Sequence, residues 1–157
     1  MQRYTGDPQP IAALLELRRP ISGAHGAKVG KELTARRTPG HTRGTTTWTT
    51  TVEDGGQSYR VVFAGSTSVN PGTKLVKSPS YPGIADDYRR SFRLLESLKP
   101  DIFLGAHVGF FDMDAKRARA ATEGVRAWVD PEGFKRHLAD SKSAFEALVA
   151  KEAPAAQ

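Results

Sequence analysis

With 157 residues, of which 38% are hydrophobic and 25% charged, the chain has the size of one domain and apolar content for a modest core, which excludes a disordered tail or a collagen-like fibre. The absence of cysteine excludes disulfide staples, thiolate nucleophiles, cysteine-ligated zinc and iron–sulfur clusters together. Lys and Arg outnumber Asp and Glu by 23 to 17, a net charge of +6, but the pairs Arg18-Arg19, Arg36-Arg37 and Arg89-Arg90 are interspersed with Glu16, Glu32 and Asp86-Asp87. That texture reads as solvated surface and argues against a nucleic-acid partner, which would need a clustered patch or a stacking platform.

Residues 1–25 are weakly patterned. Turn residues gather at Gly6-Asp7-Pro8 and Pro10, and a short helix is predicted from Ile11 to Leu17, ended by Pro20. The apolar run Ile11 to Leu15 is broken by Glu16, too short for a signal-peptide core or a membrane span, so neither an export signal nor a membrane partner is expected. Glu32 to Arg36 reads as a short extended run stopped by Thr38-Pro39-Gly40, which leaves His41 on a loop just after a strand. Thr45 to Val52, rich in threonine and carrying Trp48, suits a second strand, and Asp54-Gly55-Gly56 is a tight-turn signal leading into a third, Ser58 to Ala64. In that third strand Tyr59, Val61 and Phe63 alternate with Arg60, Val62 and Ala64, giving one wholly apolar face and one partly apolar.

A long loop follows, through Gly65-Ser66-Thr67-Ser68 and Asn70-Pro71-Gly72 to Tyr81-Pro82-Gly83; unpatterned loops of this length are functional or disordered. Ile84 to Leu98 is the clearest helix: Ile84, Tyr88, Phe92, Leu95 and Leu98 recur at helical spacing, Asp86 and Asp87 suit its first turn, and Lys99-Pro100 stops it. Asp101 to Gly105 reads as a strand buried on both faces that delivers Ala106-His107 at its carboxyl end, where open α/β sheets put ligands. Asp112 or Asp114 can cap a helix through Ala121. A last helix opens with Asp130 as cap and Pro131 in its first turn, with Phe134, Leu138, Phe145 and Leu148 as its buried stripe. The order of elements predicts an α/β half-sheet covered by helices. It divides the chain into a weakly patterned segment 1–25, a domain over 26–150 and a tail 151–157 frayed from Ala153 onward.

Two of the four histidines share a context. His41 in Pro39-Gly40-His41-Thr42 and His107 in Gly105-Ala106-His107 each sit on a small-residue turn after a strand, where an imidazole can reach a shared cleft and serve as a zinc ligand. His25, between Ala24 and Gly26, reads as an exposed loop residue, and His137, between Phe134 and Leu138, as a helix histidine at the core margin. Arg43 suits the steering of an anionic substrate or plain solvent exposure, and Trp48 and Phe110-Phe111 suit a pocket wall or, more simply, the core.

Four blocks in order, Thr38-Pro39-Gly40-His41-Thr42-Arg43-Gly44 through Trp48, Gly65 to Gly72, Tyr81-Pro82-Gly83-Ile84-Ala85-Asp86-Asp87-Tyr88 and Asp101 to His107, resemble the carboxyl-terminal half of a class B (zinc) metallo-beta-lactamase of subclass three. The resemblance runs from about Gly26 to Val149. It implies one mixed sheet and its helices out of an αββα sandwich, a pair of zinc ions bridged by hydroxide, beta-lactam antibiotics as substrates, a part in antibiotic resistance and a periplasmic location. It assigns His41 to the first zinc and His107 to the second, and puts Ser66, Ser68 and, more weakly, Asn70 beside the substrate. The family's remaining ligands come from a His-x-His-x-Asp-His motif, which does not occur in this chain. A catalytic zinc takes about three protein ligands and a water, so one histidine per metal leaves the site incomplete, and the chain alone is expected to bind zinc weakly and not to hydrolyse a penicillin, cephalosporin or carbapenem above background. A half-sandwich also predicts a sheet face open to self-association. The other readings of the same residues are a non-catalytic half-domain and a lactonase- or thioesterase-like metallo-hydrolase of the same fold.

Overall fold

A computed structural model of the chain describes residues 28–29 and 32–153; the helix expected over 11–17, His25 and the last four residues lie outside the described residues. Five strands form one mixed sheet: β1 (Lys28–Val29), β2 (Thr34–Arg37), β3 (Thr46–Asp54), β4 (Gln57–Phe63) and β5 (Ile102–Leu104). Their threonine, valine and aromatic content fits a pleated surface. Gly55 and Gly56, with φ of +56° and +81°, take the two left-handed positions of the tight turn that joins β3 to β4, setting the register Asp54 opposite Gln57 through Trp48 opposite Phe63. β1 and β2 both pair with β3, at Glu53–Val52 and at Thr49–Thr46 respectively.

Strand direction positions the functional loops. β2 and β4 are each antiparallel to β3, and β5 is parallel to β4, so β2, β4 and β5 point the same way. The loops leaving their carboxyl ends, which carry His41, Ser66 to Asn70 and His107, therefore emerge at one edge of the sheet.

Three helices, α1 (Ile84–Leu98), α2 (Met113–Glu123) and α3 (Pro131–Glu152), complete the chain, with 3-10 turns at Val108–Phe110 and Gly124–Trp128. The spacing of Ile84, Tyr88, Phe92 and Leu95 does build the buried stripe of α1, which ends where Lys99 turns left-handed (φ 44°) ahead of Pro100. α3 begins as its sequence predicts, with the Asp130 carboxylate accepting from the Gly133 N–H at 2.8 Å and Pro131 in the first turn. Asp112 stands at the start of α2, but its side chain makes no capping bond.

α1 and α3 cover one face of the sheet, where Val62, Ala64 and Phe103 pack with Tyr88, Phe92, Leu95, Phe134, Leu138 and Phe145. Phe92, Phe103, Phe145, Ile84 and Leu95 are fully enclosed, each stabilising the fold by about 1.5–3 kcal/mol through surface removed from water. The opposite face is covered at one end, where Val125 and Trp128 pack on Tyr59, Val61 and Ile102. At the other end Ala35, Trp48 and Phe63 of the cross-strand row lie open, Trp48 and Phe63 each 41% exposed, while Leu104 at the end of the row is half-buried.

Three expectations are corrected here. The apolar face of β4, expected to cover a core, does so at Tyr59 and Val61 but not at Phe63, which lies on the open end. Trp48 is likewise no core residue. Leu148 drops out of the α3 stripe at 39% exposure: the buried residues of α3 are Phe134, Leu138 and Phe145, and toward its end Val149 rather than Leu148 packs against the core. The long loop after β4 is tied down at its middle. Leu75 is buried, and the Glu152 carboxylate at the end of α3 accepts from the Leu75 and Val76 N–H groups at 2.9 Å each. Those backbone donors hold the Glu152 carboxyl below its ordinary value.

Candidate functional site

The turn Pro39-Gly40-His41 is held down by α1. Ser91 donates to the Pro39 carbonyl at 2.6 Å in a buried bond, and the Tyr88 ring lies directly beneath Gly40, where a Cβ would sit 2.7–2.9 Å from three ring carbons. With φ at +146°, position 40 also needs a backbone conformation that residues with a side chain rarely adopt. Glycine is thus required before His41 for two separate reasons.

His41, half-buried, donates from Nδ1 to the Ser68 carbonyl at 2.8 Å. The Tyr88 hydroxyl donates to the same oxygen at 2.8 Å. A carbonyl at Nδ1 selects the tautomer that leaves Nε2 unprotonated, the state in which an imidazole ligates a metal. Burial raises the Tyr88 hydroxyl well above its ordinary pKa, with the nearby Tyr81 adding to the effect, so it remains a donor.

The serine loop is built around the same contacts. Ser66 and Ser68 hydroxyls bond to each other at 2.9 Å, and the Ser68 hydroxyl approaches His41 Nδ1 at 3.4 Å. Between them Thr67 is buried and points away toward α3, meeting His137 Nε2 at 3.1 Å and Ser141 Oγ at 2.9 Å. Asn70 is exposed, and its carbonyl closes the turn to the Thr73 N–H at 3.1 Å. The Arg43 guanidinium lies over the Tyr81 ring at 4.9 Å, a cation–π contact at the loop surface. Tyr81 is raised to about 12 by burial, with the Asp87 carboxylate that accepts its hydroxyl at 3.1 Å adding to the shift.

His107 is exposed and starts the 3-10 turn Val108–Phe110, its carbonyl accepting from the Phe110 N–H at 3.0 Å. Its ring stands edge-on to Phe110 with centroids 5.0 Å apart. Phe110 in turn packs on His137 at 4.8 Å between centroids, and His137 on Phe103 at 5.1 Å, both ring pairs tilted. A continuous path of contacts therefore joins His41, Ser68, Thr67, His137, Phe110 and His107 across one edge of the sheet. His137 is no bystander at the core margin. The one signal for it in the sequence was the pair His137 and Ser141, one helical turn apart and polar beside the apolar stripe of α3. Nothing in the sequence pointed to Tyr88, Ser91 or Thr67 as polar parts of the site.

The donor chemistry at His41 fits zinc. The set is short, because no group of three or more His, Asp or Glu side chains able to hold a metal ion occurs among the described residues. Among the described residues, the crevice between His41, Ser66 and Tyr88 has about 10 Å³, and a cleft of about 550 Å³ lies at the other end of the sheet, around Pro100, Phe134 and Leu138.

The sheet, its helices and these loops match known proteins. The profile of the metallo-beta-lactamase superfamily matches residues 18–107, and the chain belongs to that superfamily. Among solved structures it is similar to the native FEZ-1 metallo-beta-lactamase of Legionella gormanii (42% identity, TM-score 0.73, over 80% of this chain and 49% of that one). It is also similar to BJP-1, a subclass B3 metallo-beta-lactamase of Bradyrhizobium japonicum (36%, 0.70, 76% and 45%). A third is the class B3 di-zinc metallo-beta-lactamase LRA-12 from an Alaskan soil metagenome (25%, 0.68, 76% and 47%). The chain spans about half the length of the structures it matches.

Proposed function

We propose that the chain furnishes one half of a zinc-dependent beta-lactam hydrolase site, with His41 directed to one zinc and His107 to the other, and with Ser66, Ser68 and Asn70 on the substrate side. The observation that carries this reading is the convergence of the loops after β2, β4 and β5 at one edge of the sheet, linked by unbroken contacts from His41 to His107, in a member of the metallo-beta-lactamase superfamily. Zinc, when bound, supplies a water acidic enough to react at neutral pH and a Lewis acid for a carbonyl. The work of this chain's own residues is to present Nε2 of His41 unprotonated, through the Ser68 carbonyl, and to hold two hydroxyls, Ser66 and Ser68, as donors for a substrate carboxylate. A periplasmic site of action is part of this proposal and rests on the family resemblance alone; separately, no helix among the described residues is long and apolar enough to cross a membrane.

A second reading, a non-catalytic half-domain, is favoured by the missing third ligand among the described residues. One experiment separates the two. The purified chain is titrated with zinc and assayed with a chromogenic cephalosporin, alone and mixed with a separately produced amino-terminal half carrying His-x-His-x-Asp-His. The chain alone should show no turnover above background. The mixture should hydrolyse the substrate and lose that activity with His41→Ala or His107→Ala. Turnover by the chain alone would reject the half-site reading, and an inactive mixture that nonetheless associates would favour the non-catalytic one.

A further inference from the structure

We propose that His137 is a positioning residue that locks the two ligand-bearing loops to α3, by hydrogen bonding to Thr67 on one side and by packing its ring against Phe110 on the other. This deepens the reading above and rests on it for its functional meaning, since the loops concerned are those proposed to carry His41 and His107.

The hydrogen-bond direction follows from counting protons. Thr67 has one hydroxyl hydrogen and donates it to Ser141 Oγ at 2.9 Å. The contact of 3.1 Å between Thr67 Oγ1 and His137 Nε2 must then be a donation from Nε2–H to the threonine oxygen. Thr67 is thereby satisfied on both sides by groups one turn apart on a single helix, and its backbone neighbours Ser66 and Ser68 are fixed with it. Ser68 presents the carbonyl that sets the His41 tautomer.

The ring itself does the second task. It lies between Phe103, a fully buried residue of β5, and Phe110, with centroid distances of 5.1 and 4.8 Å. Phe110 in turn backs the exposed His107 ring edge-on at 5.0 Å. One side chain thus spans from the loop after β4 to the loop after β5. A phenylalanine at 137 would keep the ring contacts and lose the donor; an alanine would lose both; a glutamine would keep a donor on a chain without a ring.

The test uses the metal-free chain, isotopically labelled for NMR of the imidazole nitrogens and for amide exchange. His137→Phe and Thr67→Val should each speed amide exchange at Ser66 to Ser68 by about three- to tenfold, as the loss of one buried hydrogen bond implies. They should also turn His41 from a single Nδ1–H tautomer into a mixture, while leaving the His107 ring signals in place. His137→Gln should recover part of the His41 tautomer, and His137→Ala should disturb both histidines. Thr67→Val changes no helix residue, which keeps the test open should a His137 variant fail to fold. An unchanged His41 tautomer and unchanged exchange in both His137→Phe and Thr67→Val would overturn the proposal, as would a glutamine variant no better than phenylalanine. A cobalt(II) titration of the mixture with the amino-terminal half adds a second arm: His137→Phe should weaken binding about tenfold, in the range for loss of an outer-shell partner. A wild-type mixture that took up no cobalt would sink the zinc reading, while the metal-free spectra would still decide the role of His137.

Discussion

Replacing Gly40 by alanine tests whether the turn ahead of His41 is dictated by the packing beneath it. The new Cβ would lie 2.7, 2.8 and 2.9 Å from Cδ1, Cγ and Cε1 of Tyr88. That ring has no room to retreat: Tyr88 is 2% exposed, packs on Phe145 at 4.9 Å and on Phe92 at 6.3 Å, and is pinned by its hydroxyl to Ser68. Forcing a side chain at φ +146° costs about 1–3 kcal/mol, and overpacking a closed site adds about 1–3 kcal/mol. The sum, roughly 2–6 kcal/mol, is a large share of the ~5–15 kcal/mol that holds a domain folded. Urea unfolding monitored by circular dichroism should show a lower midpoint with an unchanged slope. In a Tyr88→Leu background, where the flat ring is gone, Gly40→Ala should cost only the backbone part, about 1–3 kcal/mol, and the difference between the two backgrounds measures the clash. A loss below about 0.5 kcal/mol in the parent chain, or an equal loss in both backgrounds, would refute the reasoning.

The buried ion pair offers an asymmetric prediction. The Lys116 side chain is 3% exposed, its Nζ lies 2.9 Å from Asp130 Oδ2, and it has no other polar partner among the described residues. Asp130→Ala should therefore destabilise the chain by about 3–5 kcal/mol, by stranding an ammonium in the interior. Lys116→Met should cost less than about 1.5 kcal/mol, because Asp130 keeps the Gly133 N–H and stays 22% exposed. Burial pushes the Asp130 carboxyl up, but Lys116, the Gly133 N–H and Arg136 together bring it below its ordinary value. Its contribution is thus complete above about pH 4 and is lost as pH falls below that, and the acid limb of the stability curve should be shallower in Lys116→Met. Trp48 and Phe63, paired across β3 and β4 on the open face, should drive concentration-dependent association measurable by analytical ultracentrifugation, and Trp48→Ser with Phe63→Ser should abolish it; association unchanged in the double variant would acquit this face. Glu152→Ala should speed hydrogen exchange at Leu75 and Val76, the two amides its carboxylate accepts, with little change at Ser66 to Ser68.

Much of the fold could be read in advance because its signals are local. α1 runs over the residues its periodicity marks, since each apolar residue of the stripe follows the last by three or four positions, and the stop at Lys99-Pro100 depends on two adjacent residues. The Gly55-Gly56 turn and the Asp130 cap are equally local, each needing a particular backbone angle or one side-chain oxygen within three residues. Trp48, Phe63 and Leu148 defeated the reading because alternation and helical spacing tell which residues share a face, but not whether another layer covers that face along its whole length.

The site divides along the same line. The sequence by itself determined that His41 and His107 each follow a strand on a small-residue turn, and that Ser66, Ser68 and Asn70 share one loop, because motif and turn chemistry are written in neighbouring residues. Only the tertiary structure decided that these loops emerge at one edge, since that depends on β2 and β4 both running against β3 and on β5 running with β4. It also decided that the Ser68 carbonyl sets the His41 tautomer and that His137 reaches Thr67, contacts between residues 27 and 70 positions apart. Pairings at such separations are selected by how the whole chain packs, and no local pattern encodes them.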